Sequence, residues 1–271
     1  MLAAYKLAFD ALQGTMFVLA IVALAKPKTS IVIPALCSDL EKDFLITAMS
    51  IRAQTRLPDE VVVAVSDCAN VSFHKFENLY VDLFYPILTV FKHSKERHTA
   101  GVSRNIGYKA SNGSHILFFD SDDIMTRDYV RIVMNLFTEM DAKMVLHSFR
   151  SNAISCNAQR PTILRNTSEL KQEAKRSKQV WIAGDIHHGH ASVRADVMRE
   201  TLFGPERTGQ DSRFVRAVLA KHCFSSSDCI QTSAELSVYT ASFFQKRMKH
   251  KRLSHMLGMF MEQSKITCPD L

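Results

Sequence analysis

Residues 116–123 read Ile-Leu-Phe-Phe-Asp-Ser-Asp-Asp, a short apolar run followed at once by three acidic side chains. Four consecutive apolar residues between polar neighbours are typical of a buried β-strand. Carboxylates crowded just beyond such a strand repel one another, and a divalent cation relieves that repulsion. Oxygen ligands favour Mg²⁺ or Mn²⁺ over Zn²⁺. An Asx turn or a helix cap before Ile124 is the structural alternative, because aspartate favours both.

The residues around this stretch predict an open α/β sheet. Residues 30–33 and 61–65 are β-branched runs, and Pro34 ends the first. Between them, residues 39–54 place apolar side chains on one helical face, so the three segments form a βαβ unit with parallel strands. Ligands bind such sheets beyond the carboxyl ends of the strands. The remaining prediction is an irregular strand over 81–91, a polar loop or helix over 165–178, and helices over 100–112, 126–140 and 212–221.

Composition and charge narrow the class of protein. The chain has 271 residues, of which 46% are hydrophobic and 23% charged, and this excludes a disordered, collagenous or coiled-coil protein. The net charge is +7, but most of the excess lies in residues 1–28 and in the basic run 246–252. The body between them is almost neutral and shows no nucleic-acid-binding module, so we expect no nucleic-acid partner. The basic run is interpreted as a solvated face, a contact with anionic lipid headgroups or part of an anion site.

The N-terminal segment is apolar. Residues 11–25 carry no charge, which is short for a membrane span of about 20 residues. Ala23-Leu24-Ala25 resembles a signal-peptide cleavage site, although Asp10 and Lys26 flank the segment unfavourably. A helix packed on the domain is the alternative to a signal or membrane anchor. The six cysteines leave disulfides and buried thiols equally open. We favour a membrane-associated or secretory location over a cytoplasmic one.

Several motifs, in order along the chain, resemble family 2 glycosyltransferases. They occupy residues 31–34, 50–67, 100–107, 113–123, 190–197 and 203–214. The resemblance covers about residues 29–225 and implies a single GT-A (Rossmann-like) α/β domain with a mostly parallel central sheet flanked by helices. It implies an inverting, metal-dependent enzyme that moves a sugar from a nucleotide-diphosphate sugar to a hydroxyl of a glycan or glycolipid.

This resemblance also implies an organisation of the chain. We expect an apolar segment at 1–28, a catalytic domain at 29–245 and a basic C-terminal tail at 246–271. Within the domain, residues 29–125 correspond to the nucleotide-sugar-binding half and residues 126–245 to the acceptor half.

The acidic stretch matches the D-x-D segment of the family, and the resemblance gives its residues the following roles. The resemblance implies that Asp120 contacts the nucleotide-sugar and that Asp122, together with Asp120, binds Mn²⁺ or Mg²⁺. Asp123 is a weaker candidate for the donor site. Some GT-A enzymes take a further metal ligand from a C-terminal histidine, and His250 or His255 is a candidate here.

Three more residues match the family's nucleotide-binding positions. Pro34 would position its loop over the nucleotide, and Asp67 would accept a hydrogen bond from the base. Arg104 matches an arginine near the diphosphate, where its rigid fork suits phosphate oxygens. A strand-end turn for Asp67 and a surface ion pair for Arg104 are the structural alternatives.

The catalytic base is expected in the acceptor half. Inversion requires a base that deprotonates the attacking hydroxyl, and the resemblance assigns this role to Asp211. The family usually has Glu-Asp here, whereas this chain has Gln210 before Asp211. A helix N-cap is the structural alternative for Asp211. We expect Gln210 to contact the acceptor.

A tryptophan and three histidines also fall in the acceptor half. Trp181 is the only tryptophan, and His187, His188 and His190 follow it closely. This ligand set is incomplete for a zinc site. We therefore expect Trp181 to stack on an acceptor sugar and His190 to serve the acceptor side or a core strand.

Two other functions remain as alternatives. A non-catalytic nucleotide-sugar-binding relative is suggested by Gln210. A haloacid-dehalogenase-type phosphatase also has D-x-D after a strand, but near its own N-terminus and followed by Gly-Thr. Here Ile124 follows the acidic residues and a long segment precedes them, so a glycosyltransferase is favoured.

Overall fold

The structure is a computed structural model that describes residues 28–41, 43–150, 162–177 and 186–238. These residues form nine strands: β1 Thr29–Leu36, β2 Glu60–Ser66, β3 Leu88–His93, β4 His115–Phe118, β5 Ile124–Met125, β6 Met144–Arg150, β7 Ile163–Arg165, β8 Ser192–Arg194 and β9 Cys229–Val238. They also form eight α-helices: α1 Cys37–Leu40, α2 Phe44–Arg52, α3 Asn70–Phe84, α4 Ala100–Ala110, α5 Tyr129–Met140, α6 Thr167–Arg176, α7 Ala195–Glu200 and α8 Gln210–Lys221. A 3₁₀ helix covers His188–His190.

Some sequence predictions fall on other parts of the chain. The apolar segment 11–25, Trp181, the basic run 246–252 and the histidines His250 and His255 lie outside the described residues. Within the described ranges, no helix combines the length and the apolar character needed to cross a lipid bilayer.

The nine strands belong to one mixed sheet. β3, β2, β1 and β4 lie side by side in parallel, with Ile31 of β1 opposite Val61 on one side and Leu117 on the other. The sheet continues from β4 through β8, β6 and β9 to β5, and β7 also pairs with β9. β8 is antiparallel to both of its neighbours. β6 and β9 are also parallel to each other. The predicted α/β fold is confirmed, and β1, β2 and β4 correspond to apolar runs read from the sequence.

Both faces of the sheet are covered, as parallel strands require. Alternate residues of a strand point to opposite faces, so Ile31 and Val61 join one core cluster and Val32 and Val62 join the other. The first cluster is completed by side chains of α2, α3 and α5, and the second by α6, α7 and α8. Burying each such side chain stabilises the fold by roughly 1.5–3 kcal/mol.

The strand predicted over 81–91 is partly wrong. Its first residues belong to helix α3, and only β3 is extended. The buried aromatic side chains of α3 recur at three- and four-residue intervals, which is the helical period that the strand prediction overlooked. They are Phe73, Phe76, Tyr80 and Phe84. Pro86 lies between the helix and the strand, where a proline interrupts neither.

All four cysteines within the described ranges form disulfides. Cys37, at the start of α1, forms a disulfide with Cys68, just past β2, with the two Cα atoms 4.8 Å apart. Cys223 and Cys229 form a second disulfide across the turn between α8 and β9, with Cα atoms 5.7 Å apart. The first disulfide joins the ends of neighbouring parallel strands, the same edge of the sheet at which the acidic residues follow β4.

Candidate functional site

A cleft of about 760 Å³ opens at the carboxyl ends of the parallel strands. Its wall brings together six of the residues singled out in the sequence, from four separate parts of the chain. They are Pro34, Arg104, Asp120, Asp122, Gln210 and Asp211. The fold therefore places the acidic stretch of the first half beside the start of α8 in the second half.

The acidic turn after β4 is held from two helices. Thr47 of α2 lies buried, and its hydroxyl is 2.9 Å from the carbonyl oxygen of Ser121 and 2.7 Å from that of Asp123. Ser121 donates from its hydroxyl to Oδ2 of Asp39 on α1 at 3.0 Å. The same Asp39 oxygen accepts from the backbone of Leu36 at 2.8 Å. The position of the turn is thus set by side chains of α1 and α2.

Arg104 is a buried cation on the cleft wall. Its Nη2 donates to Oδ1 of Asp120 at 2.5 Å, and its side chain is only 3% exposed. The guanidinium also lies 5.3 Å from the ring centre of Phe203. Within the described part of the chain, Nε and Nη1 have no hydrogen-bond partner. The ion pair considered for Arg104 is therefore present, but it is buried in the cleft wall and does not lie at the surface.

The two D-x-D carboxyl groups have opposite electrostatic environments. Burial alone would raise the pKa of Asp120, but Arg104 and then His190 and His187 hold that pKa below its ordinary value. Burial, followed by repulsion from Asp123 and Asp120, raises the pKa of Asp122 to about 7. Carboxylate oxygens that line a cleft and repel one another form a donor set that suits Mg²⁺ or Mn²⁺. Asp120 and Asp122 accordingly fit a divalent cation.

Asp123 points away from the cleft and into the protein. Its Oδ2 lies 3.1 Å from Nε2 of His187 and 3.2 Å from Nε2 of His190, which itself lies 3.8 Å from Oδ2 of Asp120. We call Asp120, Asp123, His187 and His190 the His–Asp cluster, since one ligand-type atom from each lies within 4.8 Å of the others. Asp123 and His190 are completely buried. His190, expected to serve the acceptor side or a core strand, thus lies in the protein interior behind the cleft wall.

The His–Asp cluster is strongly coupled. Burial opposes ionisation of Asp123, but hydrogen bonds from His187 and His190 hold its pKa well below the ordinary range. Burial would lower the pKa of His187, whereas its contact with Asp123 raises it. Burial and then the charge of His187 lower the pKa of His190 to about 4. One imidazole therefore takes the proton more readily than the other.

Asp67 lies at the end of β2 but not on the cleft wall, which instead includes its neighbour Ser66. Its backbone is left-handed, with φ of 58°, a conformation that aspartate tolerates in turns. Its carboxylate is half exposed and lies 3.6 Å from the guanidinium of Arg97. Asp67 therefore stands at a strand-end turn, at the rim of the site.

Asp211 lies in the first turn of α8. The N-cap of that helix is Gly209, whose φ of 71° is left-handed, so the N-cap considered for Asp211 is wrong. Its Oδ1 accepts a hydrogen bond from the backbone of Ser212 at 2.8 Å. A carboxylate is stabilised at a helix N-terminus because the backbone N–H groups point toward it. Gln210 beside it is only 6% exposed.

The cleft wall also holds polar residues to which the sequence analysis assigned no role. They are Asp39, Ser66, Arg97, His98, Thr99, Ser103, Ser121 and Arg207. Most of them stand in loops or at helix starts, where no periodic pattern distinguishes a wall residue from an exposed one. For Arg97 and Arg207 the only available signal was positive charge just before a helix or a binding motif.

Comparison with known proteins agrees with this architecture. A family model described as "Glycosyl transferase family 2" matches residues 30–202, from β1 to just past α7. No curated protein is similar enough in sequence to count as a match.

Solved structures with a similar fold are known. The 1–349 fragment of TarS from S. aureus in complex with UDP has a TM-score of 0.58 at 16% identity, covering 87% of this chain and 65% of that one. A mannosyltransferase from Pyrobaculum calidifontis in complex with GDP-Man and Mn²⁺ has a TM-score of 0.55 at 14% identity, covering 89% and 65%. Glucosyl-3-phosphoglycerate synthase from Mycobacterium tuberculosis in complex with UDP has a TM-score of 0.54 at 15% identity, covering 92% and 83%. The chain thus spans less than two thirds of the first two of these structures, and the likeness shows the fold.

Proposed function

This chain belongs to glycosyl transferase family 2, and from that premise we propose that it is an inverting, metal-dependent glycosyltransferase. The donor is a nucleotide-diphosphate sugar and the acceptor a hydroxyl of a glycan or glycolipid. One observation carries the proposal: a single cleft holds a buried arginine, two aspartates of the turn after β4 and a further carboxylate at a helix start. These residues are Arg104, Asp120, Asp122 and Asp211.

The donor side is assigned to the parallel strand ends. Asp122, with Asp120, holds Mn²⁺ or Mg²⁺, which when bound stabilises the negative charge that develops on the leaving diphosphate. Arg104 directs its remaining N–H groups to phosphate oxygens, which match its planar fork. Pro34 lies against the nucleotide, and Asp67 accepts a hydrogen bond from the nucleobase. The UDP in the TarS fragment and the GDP-Man and Mn²⁺ in the mannosyltransferase support this class of ligand.

The acceptor side is assigned to α8. Asp211 accepts the proton of the attacking hydroxyl as the new glycosidic bond forms on the face opposite the leaving diphosphate. Gln210 hydrogen-bonds the acceptor without adding a second negative charge beside the base. Trp181 stacks on an acceptor sugar.

We further propose that residues 1–28 direct the chain to a membrane or into the secretory pathway. Two disulfides support an oxidising compartment, because such bonds persist there and are rare in the cytosol. Fractionation of cells that express the full chain or a variant lacking residues 1–26 tests this. An equal, soluble distribution of the two would contradict it.

The donor proposal is tested by thermal shift. UDP or GDP should raise the melting temperature in Mn²⁺ or Mg²⁺ but not in EDTA, because a ligand that binds only the native state stabilises it. Asp122→Asn should remove that metal-dependent increase, while Asp228→Asn, outside the cleft wall, serves as the control. Stabilisation of equal size in EDTA would contradict a metal-bridged diphosphate.

The catalytic proposal is tested with Asp211→Asn. This variant should bind the donor like the unaltered enzyme but lose transfer, measured as release of nucleoside diphosphate in the presence of acceptor. Gln210→Glu, which restores the Glu-Asp pair usual in the family, provides the comparison at the neighbouring position. Unchanged transfer by Asp211→Asn would exclude Asp211 as the base. Donor binding without transfer by the unaltered chain would instead favour a non-catalytic relative.

A further inference from the structure

We propose that the segment His187–His190 positions the donor side of the cleft by holding Asp120 and Arg104 from behind. The inference rests on the donor role proposed above for these two residues. The segment follows the acidic turn by more than sixty residues in the chain, and it is not part of the cleft wall. Its members are therefore positioning residues, which act on the donor and the cation through Asp120 and Arg104.

Gly189 brings the backbone of this segment against the buried ion pair. A Cβ atom at this position would lie 2.8 Å from Nη2 of Arg104 and 2.9 Å from Oδ2 of Asp120. Such a close approach of backbone to side chains is open only to glycine. Both side chains of the pair thus rest on one stretch of backbone, which leaves neither of them room to withdraw from the cleft.

Asp123 ties the acidic turn to the same segment. Its Oδ2 lies 3.1 Å from Nε2 of His187 and 3.2 Å from Nε2 of His190, and its side chain is completely buried. These contacts restrain the turn from the protein interior. On the other side, Thr47 holds the carbonyl groups of the two residues that flank Asp122. The position of Asp122 is therefore set by contacts of both its neighbours in the chain.

The ring of His190 is itself fixed. Its Nδ1 lies 3.2 Å from the hydroxyl of Ser237 on β9. The ring is stacked between Phe119 and His187, with ring centres 4.0 and 3.6 Å away. Its Nε2 lies 3.8 Å from Oδ2 of Asp120. A buried ring held in this way limits how far Asp120 can move back into the protein.

The backbone links the segment to the strand that carries the acidic turn. The N–H of Phe118 in β4 donates to the carbonyl oxygen of Ala191 at 3.3 Å, directly after the segment. β8 follows and pairs with β4. Outer contacts that hold binding groups in one orientation raise affinity, because those groups lose less freedom when the ligand binds. We therefore expect the affinity for cation and diphosphate to depend on this segment.

The test is Gly189→Ala in the full chain. The added methyl group meets Arg104 and Asp120 and should displace them. Binding of UDP or GDP, whichever the chain takes, in Mn²⁺ should weaken by about 10- to 100-fold, the usual effect of altering outer contacts of a metal site. The KM for the acceptor should stay the same, because Asp211 lies on α8.

Gly113→Ala is the matched control. A Cβ atom at Gly113 would meet the hydroxyl of Ser30 and lie 2.8 Å from its backbone nitrogen, so the site is equally crowded. Neither residue is on the cleft wall. This variant should lower the melting temperature but leave the nucleotide affinity of the folded protein unchanged.

His190→Phe is a second variant, which decides the matter where Gly189→Ala does not fold. It keeps an aromatic ring between Phe119 and His187 and removes both ring nitrogens. The affinity for Mn²⁺ in the presence of the nucleotide should fall by about 10-fold or more, and a high Mn²⁺ concentration should restore transfer. A purely structural role would lower the melting temperature and leave the Mn²⁺ affinity of the folded protein unchanged.

Two results would overturn the inference alone. One is that Gly189→Ala and His190→Phe bind nucleotide and Mn²⁺ as tightly as the unaltered protein. The other is that Gly113→Ala loses as much affinity as Gly189→Ala, because general destabilisation would then account for both. An unaltered chain that binds neither UDP nor GDP in Mn²⁺ would contradict the proposed function and this inference with it, so the two failures are distinguished before any variant is made.

Discussion

Arg104 donates a 2.5 Å hydrogen bond to Asp120 from a side chain that is almost fully enclosed, while two of its nitrogens have no partner in the described part of the chain. An enclosed guanidinium with unused donors at a cleft wall is suited to an anion. We expect Arg104→Lys to weaken binding of UDP or GDP, whichever the chain takes, in Mn²⁺ by about 10- to 100-fold, because hydrogen bonds to charged groups are worth roughly 1.5–3 kcal/mol. Calorimetric titration measures this affinity.

The control for that substitution is Arg131→Lys. Arg131 also pairs with an aspartate, Asp128 at 3.0 Å, but it lies on α5 and is not part of the cleft wall. Its replacement should leave the affinity for that nucleoside diphosphate unchanged. Equal affinity of Arg104→Lys and the unaltered protein would remove Arg104 from the diphosphate site.

Thr47 provides a prediction about positioning. Its hydroxyl hydrogen-bonds the backbone of the acidic turn, and valine has the same shape without that donor. Thr47→Val should lower the free energy of unfolding by about 1–3 kcal/mol, because buried carbonyl groups lose their partner. It should also weaken Mn²⁺ binding, since the turn carries Asp120 and Asp122. Thr47→Ser keeps the hydroxyl and should restore Mn²⁺ affinity, and a Thr47→Val variant with unchanged Mn²⁺ affinity would show that α2 does not position the turn.

The sequence predicts those residues of the site that directly follow a strand. Asp120 and Asp122 follow an apolar run directly, so their place at the edge of a parallel sheet follows from the pattern alone. The His–Asp cluster was not predictable, because its two halves are distant in the chain and are brought together by the pairing of strands, including β8 with β4. Asp123 is the clearest example of a residue whose position the sequence does not predict. One residue after Asp122, its side chain points to the protein interior, and a turn gives no periodic signal for that direction.

Glu60 gives a prediction about stability away from the cleft. This carboxylate is 3% exposed, and its Oε1 accepts from the Ser30 hydroxyl at 2.5 Å and from the backbones of Asn112 and Gly113 at 2.5 and 3.2 Å. Glu60→Ala would leave these donors unpaired where β1, β2 and the end of α4 meet. We expect the free energy of unfolding to fall by about 1–3 kcal/mol, more than for Glu60→Gln, which keeps one acceptor oxygen. Denaturant unfolding measures the difference.

A substitution at an exposed position serves as the control for the stability change expected of Glu60→Ala. Glu77→Ala removes a partly exposed carboxylate that lies 3.3 Å from the exposed His74, and should change stability by no more than about 0.5 kcal/mol. Binding of UDP or GDP should be unaffected in both variants, because neither residue is on the cleft wall. Equal stability of Glu60→Ala and Glu77→Ala would mean that the buried donors find other partners.

His115 at the start of β4 provides a prediction about acid stability. Burial, and then the positive charge of Arg194, lower the pKa of His115 from its ordinary 6.5 to about 4. The unfolded chain therefore binds this proton more tightly than the folded one, so protonation favours unfolding. The contribution of neutral His115 is complete above pH 6.5 and is lost as the pH falls from 6.5 toward 4.

His115→Phe isolates this effect. The ring already lies 4.6 Å from that of Phe137, so phenylalanine retains the aromatic contact and cannot be protonated. Urea unfolding at a series of pH values should show that stability falls less steeply in the variant than in the unaltered protein between pH 6.5 and 4. The other buried histidines titrate in both chains, so the difference between the two curves reports His115 alone. His74→Phe, at an exposed histidine, should give a curve parallel to that of the unaltered protein. If the curve of His115→Phe were also parallel to that of the unaltered protein, protonation of His115 would not contribute to acid unfolding.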